Sequence, residues 1–191
     1  MKGKKHLVAL LTAVTSVVIL LFAAPSESFN LKRTIPEVGK EAFDFTLPDT
    51  KGEEVSLGDF RGKVVLLSFW SCYTDKCFSS VRIIKELLAD FHEMGLVAPT
   101  ICSEIPEVLV KDDYAELLKR CGTGQVVMVD AGRDVKRDYK VRKLPSTYLI
   151  GRDFTVREIV KGVTRLREPE FRDSVMALLE EPPPHPPEVS R

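Results

Sequence analysis

The 191-residue sequence contains no C-x-x-C-H segment and no pair of C-x-x-C motifs, and none of its three histidines stands close to Cys72 or Cys77. These absences exclude covalent haem attachment and a paired-cysteine zinc site, so neither a cofactor nor a metal is expected. Net charge is also lacking, because 28 Lys+Arg balance 28 Asp+Glu. That removes the driving force for broad capture of nucleic acid or a membrane surface. There is no internal repeat, phosphate-binding loop or dinucleotide fingerprint. No cysteine closely follows the apolar N-terminal run, which argues against a lipid-modified cysteine anchor.

What is present, 44% hydrophobic and 29% charged residues, suits one globular domain with its own core. Lys2, Lys4, Lys5 and His6 precede an uncharged stretch, Leu7 to Ala24. This reads as a secretory signal, with Ala24-Pro25-Ser26 as a small-residue cleavage pattern, or as an N-terminal anchor of about the minimum ~18 residues that span a bilayer. The expected division is residues 1–26 as signal or anchor, 27–35 as linker, 36–180 as the folded domain and 181–191 as a proline-rich tail. The location expected is exported, periplasmic or otherwise extracytoplasmic, with membrane contact only through residues 7–24. Loss of residues 1–24 removes three lysines and no acid from a neutral chain, leaving a net charge of −3.

Export permits disulfides among Cys72, Cys77, Cys102 and Cys121. Cys102 and Cys121 are equally well read as buried small hydrophobes.

Residues 43–57 alternate around Pro48-Asp49-Thr50-Lys51-Gly52, predicting a hairpin. Val64 to Trp70 is a nearly continuous apolar run, predicting a central strand buried on both faces. Val81, Ile84, Leu87, Leu88 and Phe91 then recur at helical spacing, with Gly95 as the stop. Leu96 to Cys102 predicts a strand in which Pro99 requires an edge position or a bulge. Tyr114 to Cys121 predicts a helix, and Gln125 to Val129 another strand. Residues 148–150 and 156–160 flank Gly151-Arg152-Asp153-Phe154 as a hairpin, and a last helix begins near Pro169 with Phe171, Val175 and Leu178 on one face. The fold class is α/β: a central mixed sheet flanked by helices, with an N-terminal hairpin extension.

Three segments, "LGDFRGKVVLLSFW", the cysteine-bearing loop that follows it and "YKVRKLPSTYLIGRDFTVREIVKG", closely resemble the exported TlpA/ResA-like branch of the thioredoxin superfamily and, more broadly, the redoxins that include peroxiredoxins. The resemblance covers about residues 36–180 and implies a thioredoxin fold. In that family W-C-x-x-C supplies an attacking and a resolving cysteine. Overlaying F-W-x-x-W-C-x-x-C puts Phe69 and Trp70 on the opening pair, Tyr73 on the second tryptophan, Thr74 on the attacking cysteine and Cys77 on the resolving one. The family's nucleophile is therefore replaced by Thr74, and Cys72 falls where the family has no cysteine.

Threonine cannot supply a thiolate, but it is a preferred helix cap and suits the start of the helix that carries Cys77. A second role is donation to a Cys77 thiolate, with Lys76 assisting and Asp75 opposing. The peroxiredoxin pattern P-x-x-x-T-x-x-C matches at Thr74 and Cys77 but has Trp70 in place of its proline, and the peroxiredoxin arginine has no clear counterpart. Leu144-Pro145 matches the thioredoxin-type proline, which the resemblance implies is cis and helps to bind the partner's extended chain. Trp70 and Tyr73 would flank the loop, one in the core and one at the rim. Arg133, Lys136, Arg137, Lys140, Arg142 and Lys143 form a basic run that reads as a solvated face or as a guide for an acidic partner.

The expected function is thiol-disulfide exchange at an altered site, with Cys77, Cys72 and Thr74 carrying the chemistry and Pro145, Trp70 and Tyr73 binding substrate. Partners would be protein thiols and disulfides, such as a membrane reductant or a secreted cysteine-containing protein. The alternatives are a non-catalytic binding module on the same fold and a single-cysteine peroxidase.

Overall fold

A computed structural model describes residues 36–71, 74–103 and 126–183. The N-terminal segment and linker, Cys72, Tyr73, the helix expected over residues 114–121 with Cys121, and the tail from residue 184 lie outside the described residues.

Strands β1 (Thr46–Pro48) and β2 (Glu54–Ser56) form the expected antiparallel hairpin. Its turn is fixed by Asp49, whose carboxylate accepts the amides of Lys51 and Glu53 at 2.7 and 2.9 Å, and by Gly52, whose φ of 87° falls in the left-handed region that favours glycine. The main sheet contains β3 (Val64–Trp70), β4 (Leu96–Val97), β5 (Thr100–Cys102), β6 (Val127–Val129), β7 (Ser146–Ile150) and β8 (Val156–Lys161). Its order is β6-β5-β3-β7-β8, with β4 also paired to β3. Strands β5 and β6 run parallel to β3 on one side, and β7 and β8 form an antiparallel hairpin on the other.

Every residue of β3 is buried, because both faces are covered. On one face Val64 and Leu66 pack under α1 (Asp75–Phe91) and α3 (Pro169–Glu180) through Ile84, Leu87, Phe171 and Val175. On the other, Val65, Leu67 and Phe69 meet the N-terminal hairpin region and the short α2 (Asp134–Asp138) through Phe45, Leu57, Val135 and Tyr139. Helix α1 passes into a 3-10 turn that ends at Gly95, with φ 99°, as its sequence predicts.

The proline in residues 96–102 is resolved differently from either expectation. The strand breaks into β4 and β5 around Ala98-Pro99, both pieces pair with β3, and β5 lies between β3 and β6. The break removes Pro99 from the ladder as a donor while its carbonyl still accepts the Ser68 amide at 3.2 Å.

Tyr139 joins the parts on the second face. Its hydroxyl donates to the Phe43 carbonyl, and the Tyr148 hydroxyl donates to the Tyr139 carbonyl. Burial pushes the Tyr148 phenol up to about 12 from 10.0. Burial, then the neighbouring Tyr148 and Asp44, push Tyr139 higher still. The native state therefore keeps phenolic protons that the unfolded chain releases near pH 10. This stabilising contribution is complete below about pH 10 and is lost as pH rises toward about 12. In an alkaline titration, tyrosinate absorbance from Tyr139 and Tyr148 should rise together with the loss of near-ultraviolet circular dichroism. Ionisation of both near pH 10 with the fold intact would contradict this account.

Candidate functional site

The site forms where β3 ends and α1 begins. Thr74, in extended conformation (φ −130°, ψ 132°), is the N-cap, and its side-chain oxygen accepts the Cys77 amide at 3.4 Å. The same amide also bonds to the Thr74 carbonyl at 3.0 Å. The cap thus satisfies one of the amides that a helix start leaves without a partner. Thr74, Asp75 and Lys76 are exposed, whereas Cys77 turns inward and is 0% exposed.

The inward turn aligns Cys77 with two groups that the motif reading did not single out. The Ser71 amide donates to its Sγ at 3.3 Å, and the Ser80 hydroxyl donates to its carbonyl at 2.8 Å. Ser80 carries a weak sequence signal, being three residues after Cys77 in a helix, where a hydroxyl can bond back to the chain. Ser71 acts through its backbone and carries none.

Alternation along β3 puts Ser68 and Trp70 on the face that α1 covers. Ser68 is fully buried there and its hydroxyl pairs with that of Thr147 at 3.2 Å. A serine within an otherwise apolar run was the available signal for this polar pair. Trp70 is also 0% exposed, and among the described residues its indole Nε1 has no hydrogen-bond partner. The closed sheet and helix make Trp70 part of the interior, while Tyr73, with which it was expected to flank the loop, lies outside the described residues. Cys102, the parallel-strand partner of Trp70, is likewise buried.

Leu144–Pro145 is a cis peptide. Pro145 is buried and directly precedes β7, and Phe69 pairs with Ser146, so the proline and the end of β3 lie at the same end of the sheet. Its carbonyl accepts the Gly162 amide at 2.8 Å, and the Ser146 hydroxyl donates to the Lys143 carbonyl at 2.7 Å. The turn is therefore tied to its neighbours on both sides.

The basic run lies upstream of that turn. Buried Asp130 accepts the amides of Val135 and Lys136 at 3.4 and 2.8 Å, fixing the start of α2. Arg133, Arg137, Lys140, Arg142 and Lys143 are exposed and Lys136 is half-buried. Thr74, Cys77, Trp70 and Pro145 are thus gathered at one end of the sheet, while Cys72 and Tyr73 lie outside the described residues. Among those residues no group of three or more His, Cys, Asp or Glu is arranged to hold a metal.

The model of the AhpC/TSA family matches residues 38–159. The thiol-disulfide oxidoreductase ResA of Bacillus cereus is 30% identical over 152 residues, covering 76% of this chain and 86% of the relative. ResA of Geobacillus kaustophilus is 31% identical, covering 78% and 85%. Among solved structures, a Chlorobium tepidum protein assigned as a thiol:disulfide interchange protein DsbE aligns with TM-score 0.66 and 24% identity, over 76% of this chain and 99% of that one. The thioredoxin domain of a thiol-disulfide oxidoreductase from Bacteroides vulgatus aligns with TM-score 0.61 and 21% identity, over 75% and 98%. These likenesses show the thioredoxin-like fold; with the family match and the two curated relatives, they establish that the chain belongs to the AhpC/TSA family, in its ResA-like branch.

Proposed function

We propose that this protein is an exported thiol-disulfide oxidoreductase acting on protein thiols and disulfides, with Cys77 as its central thiol and Thr74 in place of a second cysteine at the helix start. The observation that carries this reading is the setting of Cys77: first turn of α1, fully buried, Sγ 3.3 Å from the Ser71 amide. A buried sulfur cannot be the first to meet a large partner disulfide. Cys72 is therefore assigned the attack and Cys77 the resolution.

The Cys72 thiolate would attack one partner sulfur and release the other as a thiolate. Cys77 would then displace the mixed disulfide, leaving a reduced partner and a Cys72–Cys77 disulfide. A dithiol reductant from a separate protein resets the pair. The turn at Pro145 receives the extended chain of the partner, and residues 1–26 direct export, retained as an anchor through 7–24 or removed near Ala24.

The cap bond from the Cys77 amide to the Thr74 side-chain oxygen favours a second reading, a binding module that keeps the partner groove and has lost exchange. Both readings, and that of a single-cysteine peroxidase, separate in one experiment. The parent protein should exchange with small disulfides faster than it consumes hydrogen peroxide, and Cys77→Ser should lower exchange at least about tenfold, because the resolving thiol is removed. Rapid peroxide turnover abolished by Cys77→Ser would establish the peroxidase instead. Neither activity in the parent would establish the binding module.

A further inference from the structure

We propose that Lys140, Arg142 and Lys143 form a docking strip for an acidic stretch of the partner polypeptide, next to the segment that enters at Pro145. The inference rests on the reading that the Leu144–Pro145 turn receives a polypeptide.

What sets these cations apart is their clustering: three exposed basic groups fall within four consecutive positions directly before Leu144–Pro145, and none has a carboxylate partner among the described residues, whereas the paired arginines are spread over the surface. Arg61 pairs with Glu41, Arg137 with Asp134, Arg157 with Asp153, Arg165 with Glu158 and Arg172 with Asp90, at 2.7 to 2.9 Å. Among the described residues, Lys140, Arg142 and Lys143 make no such pair, although all three are exposed. The two acids within the basic run, Asp134 and Asp138, are turned to Arg137. The chain without its first 24 residues is net acidic, so unanswered cations gathered beside the site form a local exception to its overall charge.

Their backbone is held rather than loose. Tyr139, Val141 and Pro145 are buried between and beside the cations, and the Val141 amide bonds to the Lys136 carbonyl at 3.0 Å. Lys140 itself occupies the left-handed region, φ 51°, where glycine or asparagine would be easier to place. A fixed row of cations loses less freedom on binding an extended anionic chain than a mobile row would. Charge complementarity of this kind raises association rates and selects among partners more than it adds raw affinity. An anionic membrane is the rival occupant. The polypeptide is favoured because the strip runs directly into the turn at the Cys77 end of the sheet.

The test uses the full-length chain in a neutral detergent and two fluorescent peptides of equal length, with serine at the target cysteine. One peptide carries Asp and Glu beside that position and the other carries Gln and Asn. Anisotropy at low ionic strength should show the acidic peptide bound about tenfold more tightly, with the preference falling as added salt shortens the Debye length to about 8 Å. Lys140→Gln/Arg142→Gln/Lys143→Gln should equalise the two peptides. Lys40→Gln/Lys51→Gln/Lys63→Gln, which removes as much charge elsewhere, should leave the preference unchanged.

Equal binding of both peptides, failure of the acidic peptide to bind, or an equal loss in both triple variants would overturn the inference. So would strip-dependent capture of anionic vesicles without acidic-peptide preference. Disulfide exchange measured in parallel separates the two claims. Exchange without charge preference defeats the docking strip alone, and charge preference without exchange defeats only the enzymatic reading.

Discussion

Thr74→Cys, made together with Cys72→Ser, should raise disulfide-exchange activity at least about tenfold over the Cys72→Ser parent, because the introduced thiol completes C-x-x-C with Cys77 at the start of α1. A thiol at a helix N-terminus faces amides without helical partners and the positive end of the dipole. Such positions lower a cysteine's pKa from about 8.5 to about 3.5–7.5, which changes the reactive thiolate from a few per cent of the population at neutral pH to a substantial share. Position 74 is exposed where Cys77 is buried, so attack and resolution fall to separate sulfurs. The stability penalty should be about 1 kcal/mol for loss of the threonine cap. Insulin reduction measures the gain, and thermal unfolding measures the penalty. A folded double variant with no gain would mean that the surface around Pro145 no longer accepts a disulfide-bearing chain, and the oxidoreductase reading would fall with it.

Phe171→Ala should be among the most damaging single substitutions, costing about 3–5 kcal/mol. Phe171 is fully buried in the layer between the sheet, α1 and α3, and its truncation leaves space that the paired helices cannot close without moving. Against a typical total of about 5–15 kcal/mol, that is a large share of the stability of the fold. The comparison is Met176→Ala on the same helix, 40% exposed, which should change stability by no more than about 0.5 kcal/mol. Arg172 gives little insurance: its pair with Asp90 at 2.7 Å is about half exposed on both sides, and its packing over the Phe91 ring at 4.6 Å is at the surface. Because α1 carries Cys77, local opening of the helix pair should also make that thiol react faster with an alkylating reagent. Urea unfolding and timed alkylation report the two effects separately. A loss below 1 kcal/mol would show that α3 is not the support of α1 that its packing indicates.

The local signals in the sequence were sufficient wherever a segment's own pattern decides its conformation. The unbroken apolar run of Val64–Trp70 specified a strand covered on both faces, since no amphipathic arrangement suits it. The 3-4 spacing from Val81 to Phe91 and the stop at Gly95 specified α1, and Asp49 and Gly52 specified the first turn. Motif spacing also located Thr74, Cys77 and Pro145, because strand, cap and proline turn are each marked by their own residues. The tertiary structure alone decided what depends on elements distant in sequence. It broke the segment around Pro99 within the sheet rather than at an edge, because both β4 and β5 pair with β3. It closed Trp70 into the interior and gave Cys77 the Ser71 amide, because α1 folds back over the end of the strand it follows. Side-chain type and spacing indicate which groups can do thiol chemistry, but accessibility and hydrogen-bond partners are set by the packing of remote segments, and these hold the sulfurs of Cys77 and Cys102 inside.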